Sequence, residues 1–133
     1  AKEKSADNPV YYVQYAHARI SSIIRMAEEQ KLALDEKEKL DFNRLNLPEE
    51  IALIKQLSSY PEVVEYSARF LEPHRIPYYL TQLASAFHSY YKHHRIIQDD
   101  LALAQARFNL VQAIRVVIRN GLGLLGVSAP EKM

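Results

Sequence analysis

A chain of 133 residues, 48% hydrophobic and 25% charged, is sized and composed for one globular domain with one sizeable core, which excludes a disordered chain. No run of about 20 uncharged apolar residues occurs and the opening AKEKSADNP is hydrophilic, so neither a membrane-spanning helix nor a signal peptide is expected, and the chain reads as intracellular or as a piece of something intracellular. Zero cysteines exclude disulfides and thiolate metal sites, and a net charge of +1 is too small to identify a polyanionic partner by itself.

Residues 1 to 7 form a polar lead-in without an initiating Met, as at the cut edge of a longer protein. Asn8 followed by Pro9 then signals a helix start: the Asn side chain accepts a free amide, and Pro has none to leave unsatisfied. The first helix is expected from Pro9 to about Leu32. At about 100° per residue, Val10, Val13, His17, Ile20, Ile24 and Ala27 share a stripe fit for burial, while Tyr11, Tyr15, Arg19 and Ser22 lie roughly opposite. A charged stretch, Asp35 to Asn46, reads as a loop with a turn of helix, pinned by Leu40, Phe42 and Leu45. Pro48 opens a second helix with Glu49 and Glu50 in its first turn and a buried stripe of Ile51, Ile54 and Leu57 to about Ser59. Tyr60-Pro61 starts a third, with Val63, Val64, Tyr66, Phe70 and Leu71 apolar and Pro73 as its breaker.

A fourth helix is expected from about Pro77 to His93, burying Leu80, Leu83, Ala84, Phe87 and Tyr91. The fifth begins near Asp99 and runs to Asn120, with Leu101, Ala104, Phe108, Val111, Ile114, Val117 and Ile118 inward and Gly121 as the left-handed residue that ends it. Leu122, Leu124 and Leu125 then pack a short turn before an irregular tail. No strand-like alternation of length appears, so the fold class is all-α, a compact bundle of about five helices.

Charge is uneven along this frame. Glu28 to Glu72 holds eleven acids against six bases; His74 to Asn120 holds six bases against two acids, with four of the five histidines. Such asymmetry suits one face for an anionic partner, although a solvated helix surface gives the same pattern. Tyr15 and Arg19, one turn apart, can present a stacking plane and a fork of donors to one ligand, which suits an unstacked RNA base and its phosphate. Tyrosines packed as core under a second helix are the competing reading. Arg107, Arg115 and Arg119 share one side of the fifth helix and form a candidate phosphate track, or equally pair with the acidic middle of the chain. His17 and His88 read as hydrogen-bonded core histidines. Lys92, His93, His94 and Arg95 make a basic helix end. No phosphate-binding Gly-rich loop, zinc-protease motif or nucleophile elbow occurs, so neither catalytic nor metal-ligating residues are assigned.

Three segments, NPVYYVQYAHARISSI, PHRIPYYLTQLASAFHSYY and NGLGLLGVSAPEKM, resemble in order and spacing the C-terminal anticodon-binding domain of arginyl-tRNA synthetases across essentially the whole chain. The nearest match to that domain family's Asp-Ala-Leu-Arg tetrapeptide is Ala68-Arg69 in YSARF. The resemblance implies a single helical domain over residues 1–133 that holds the anticodon arm of arginine-accepting tRNA. It implies contacts from Tyr11, Tyr15, Arg19 and the terminal Met133, with Tyr15 stacked on a splayed base, Met133 closing the pocket, and Ala16 and Ala18 letting the RNA backbone approach. It also implies an upstream catalytic domain of the same chain that joins arginine to tRNA using ATP with Mg. The ATP-site signatures of that domain, of the His-Ile-Gly-His and Lys-Met-Ser-Lys type, are missing here, so the ligase chemistry is expected elsewhere. A cytoplasmic monomer without membrane contact completes the expectation. The alternative is a helical protein-interaction module whose Tyr/Arg face meets a partner protein.

Overall fold

The computed structural model describes residues 8–32, 34 and 40–133; the polar lead-in and much of the charged stretch predicted as a loop lie outside them. The described residues form five α-helices, α1 (Pro9–Glu29), α2 (Pro48–Ser58), α3 (Tyr60–Arg69), α4 (Arg75–His93) and α5 (Leu101–Leu124), with a 3-10 turn at Phe42–Arg44 and no strand. Only Ser59 parts α2 from α3, so the two also read as one bent rod. The all-α bundle expected from the periodicity is what forms. α4 is its hub, packing against α1, α2, α3 and α5. Leu80, Leu83, Ala84 and Phe87 of α4 meet Ile20 and Ile23 of α1 and Val111, Ile114 and Ile118 of α5 in one apolar core. By length and composition α5 is apolar enough to cross a membrane, with a mean hydropathy of 1.3 over its best window, but half of that window is buried inside this bundle.

Helix starts follow local chemistry. The Asn8 side chain accepts from the amides of Val10 at 3.0 Å and Tyr11 at 3.4 Å. Asp100 does the same for Leu103 at 3.3 Å and also pairs with Arg44, and the two interactions together hold its carboxyl below the usual range. Helix ends differ from the expectations. α1 stops at Glu29 rather than near Leu32, because Lys31 turns left-handed at φ 55° and the Leu32 amide bonds back to the Ala27 carbonyl. α3 ends likewise on Leu71, φ 54°, two residues before Pro73. Gly121 does not end α5. It lies inside the helix and is buried where a Cβ would stand 2.7 Å from Leu80 Cδ2, so its lack of a side chain lets α5 approach α4. Gly126, φ 72°, is the left-handed residue, with the Val127 amide bonded to the Leu122 carbonyl at 2.9 Å.

Two buried stripes are rotated from the expected ones. In α2 the inward residues are Glu50 and Leu53, while Ile51 is 44% exposed and Ile54 also faces solvent. The cause is Glu50, whose Oε2 accepts from Tyr90 Oη at 2.6 Å and Arg107 Nε at 2.9 Å while Oε1 takes the Leu47 amide at 3.1 Å. A buried carboxylate needs such partners, and they fix the helix's rotation. In α3, Tyr60 and Ser67 are buried, and Phe70 and Leu71 point outward. Of the residues expected to pin the loop, Leu45 is buried and Phe42 is exposed; Leu101, expected inside α5, is exposed at its start.

Candidate nucleic-acid interface

The outward face of α1 meets one edge of α4, and rings from both helices line the junction. From α1 come Tyr11, Tyr12, Tyr15 and Arg19; from α4 comes His88, and the five enclose an open groove of about 330 Å³. Tyr15 is 42% exposed, and its ring stacks on His88 with centroids 5.5 Å apart and planes at 29°. Tyr12 meets the same imidazole at 5.1 Å and 51°. The Arg19 guanidinium carbon stands 4.8 Å from the centroid of Tyr91 and 6.0 Å from that of Tyr15, and Nη1 lies 3.3 Å from His88 Nδ1. Phe87, stacked on Tyr91 at 5.7 Å, backs the cluster from the core. No carboxylate among the described residues pairs with Arg19, so its charge is held by ring faces and stays available to an anion outside.

The His88 imidazole is neutral at physiological pH: burial first, and Arg19 second, push it down to about 4. A guanidinium only donates, so Nδ1 presents a lone pair and Nε2 carries the proton. That Nε2 is buried without a hydrogen-bond partner, an arrangement that costs about 1–3 kcal/mol.

The tail flanks α1 on its other side. Gln14 Nε2 donates to the Ser128 carbonyl at 2.9 Å, His17 Nδ1 to that of Pro130 at 2.7 Å and Arg25 Nη1 to that of Glu131 at 3.0 Å. His17 is thus the hydrogen-bonded core histidine its place on the stripe predicts, and burial lowers its pKa. Arg115 reaches Ser21 Oγ at 3.4 Å and Arg119 lies 3.9 Å from Glu131, which puts both beside the tail rather than in the groove.

The structure brings Tyr11, Tyr15 and Arg19 to one groove, as their spacing predicts, and sets other candidate residues apart from it. Arg107 leaves the proposed phosphate track, because it is buried against Glu50. Met133 stands at the end of the tail, 52% exposed, and is not among the side chains lining the groove. Ala16 and Ala18 are buried, so no RNA backbone can approach through them. Three members of the cluster, Tyr12, His88 and Tyr91, were missed as such; the spacing of His88 and Tyr91 on one face of α4 was the available signal, and it was read as core.

Known proteins similar to this chain in sequence and fold bear on its family. The family model described as the DALR anticodon binding domain matches residues 13–133. The chain is similar to the arginine–tRNA ligases of Desulfosudis oleivorans, 55% identical, and Syntrophotalea carbinolica, 54% identical, in each case over the whole chain and 24% of the relative. Its fold superposes on the arginyl-tRNA synthetase of Thermus thermophilus with a TM-score of 0.81 and 33% identity, covering 97% of this chain and 22% of that one. The chain thus spans about a quarter of the length of the curated relatives it matches.

Proposed function

The chain belongs to the DALR anticodon binding domain family, and from that membership we propose that residues 1–133 act as one unit that binds the anticodon arm of an arginine-accepting tRNA. The observation that carries this reading is the groove on α1: a half-exposed tyrosine ring beside an arginine that has no carboxylate partner among the described residues. An unstacked base offers a π-face to Tyr15, and the Arg19 fork can meet its edge or its phosphate. Tyr11 widens the stacking floor. Arg115 and Arg119, beside the tail, extend the contact along the RNA backbone, and Met133, exposed at the tail's end, adds an apolar contact.

The remaining three quarters of such a protein hold the arginine-joining chemistry in this reading. An upstream catalytic domain of the same chain binds ATP with Mg and the tRNA acceptor end, and the whole works as a cytoplasmic monomer away from membranes. In this reading the chain's own part is recognition. The test is binding of an anticodon stem-loop, followed by fluorescence anisotropy. The expected result is salt-sensitive binding that prefers an arginine anticodon, and no aminoacyl-tRNA formed by the purified chain. Equal binding of stem-loops with unrelated anticodons, or capture of a protein through Tyr15 and Arg19 with RNA ignored, would move the assignment to a protein-interaction module.

A further inference from the structure

His88 sits where the stacking ring and the cation of the groove meet. Its ring lies against Tyr15 and Tyr12, and its Nδ1 faces Arg19 Nη1 at 3.3 Å. The other nitrogen is buried and bonds nothing, so the imidazole's position gains from only one of its two polar atoms. A phenylalanine would stack as well there and leave no orphaned donor. What phenylalanine lacks is the acceptor that Arg19 uses.

We propose that His88 is the positioning residue of this interface: as the Nε2–H tautomer it accepts a hydrogen bond from Arg19 at Nδ1 and backs Tyr15, so that the remaining guanidinium donors and the open face of the phenol are set for one unstacked base before RNA arrives. The inference rests on the RNA-binding reading above. An unpinned arginine must be immobilised as the complex forms, whereas one already held between Tyr91, Tyr15 and His88 loses little further freedom. Among the described residues Arg19 is the one charged group that acts on His88; the neighbours from α1, Tyr12 and Tyr15, and from α4, Phe87, are rings.

The test uses stem-loop affinity and thermal melting of the purified protein and its variants, with imidazole 15N shifts of the wild type. His88→Phe is expected to melt at or above the wild-type temperature and to bind about three- to tenfold more weakly, the range for freeing one rotamer-rich side chain. His88→Asn, whose Oδ1 falls near the place of Nδ1, is expected to recover at least about half of that loss on a logarithmic scale. The 15N shifts should report Nε2–H at pH 7. Unchanged affinity in His88→Phe, an equal loss in His88→Asn, or a proton on Nδ1 overturns the proposal. If Tyr15→Ala weakens binding while His88→Phe does not, only the positioning role fails; if the wild type binds no stem-loop, the RNA reading fails and the inference falls with it.

Discussion

Two arginines, each close to a tyrosine of α4, mark two regions that use the same side chains to opposite ends. Arg107 lies 6.0 Å from the Tyr90 ring, buried, with Nε on Glu50 and Nη1 on the Arg95 carbonyl at 2.9 Å. Arg19 lies 4.8 Å from the Tyr91 ring, half-buried, with a neutral imidazole and, among the described residues, no carboxylate. Tyr90 and Tyr91 are consecutive on one helix and so point about 100° apart, one into the core and one against the Arg19 guanidinium. The difference teaches that residue type alone does not mark a candidate RNA contact; the proposal for Arg19 rests on its lack of a countercharge among the described residues. A cation neutralised inside holds helices together, and a cation backed only by rings keeps its charge for a partner.

The largest expected effect breaks the buried half of this pair. Glu50→Ala or Arg107→Ala leaves an uncompensated charge among α2, α4 and α5 and should destabilise the protein by about 3–5 kcal/mol, read from the denaturant midpoint. Stem-loop affinity of the folded fraction should not move. Arg19→Ala, losing a half-exposed cation–π contact, should cost the fold only about 0.5–1 kcal/mol. Similar stability losses from the two arginines would erase the distinction.

Acid separates the regions next. The unfolded chain protonates His88 near 6.5, whereas in the fold the group stays neutral down to about 4. Stability from His88 is therefore complete above about pH 6.5 and is lost as pH falls toward 4, a contribution on the order of 3 kcal/mol. His17, also lowered by burial, adds loss of the same sign. The difference between wild type and His88→Phe in melting temperature, followed from pH 7.5 to 4, should grow steadily in favour of the variant. A constant difference would mean that His88 is not held neutral.

Smaller again is the cost of removing the stacking ring. Tyr15→Ala should weaken stem-loop binding by about 1–3 kcal/mol and scarcely lower the melting temperature, since the ring is exposed on one side. Tyr15→Phe should cost much less. Tyr90→Ala should do the reverse, lowering the melting temperature and sparing affinity, as a large-to-small core change does. Tyr15→Ala that melts low and binds normally would return the α1 face to the core reading.

How much of this was legible follows from how local each determinant is. Asn8 and Asp100 cap amides two or three residues away, so both starts could be read directly. The Tyr11–Tyr15–Arg19 face needed only the helical period. α2 misled because Ile51, Ile54 and Leu57 make a persuasive stripe, while the residue that sets the rotation, Glu50, answers to Arg107 57 residues on. The C-terminal glycines misled for a related reason: Gly121 and Gly126 both suit a helix end, and only the approach of Leu80 assigns the first to packing. Lys31 and Leu71 adopt the left-handed turn without glycine, so those ends carried no compositional mark. His88 looked like core because its partners on α1 lie about 70 residues back in the chain.

The smallest effect is the one that most directly sorts the two arginines by charge. Each phosphate neutralised on a single strand releases about 0.7 counterions, so the slope of log affinity against log salt counts the cations that RNA meets. Arg19→Gln should make that slope shallower by about 0.7, which over a fourfold change in salt is a difference of about 2.6-fold in relative affinity. The matched control is Glu50→Gln with Arg107→Met, which removes both buried charges together and keeps an acceptor for the Tyr90 hydroxyl. That double variant should retain the wild-type slope, because Arg107 carries no net charge to the surface once paired. An unaltered slope for Arg19→Gln beside an altered one for the core pair would invert the comparison, placing the RNA on the side of α5 and leaving the α1 groove to some other partner.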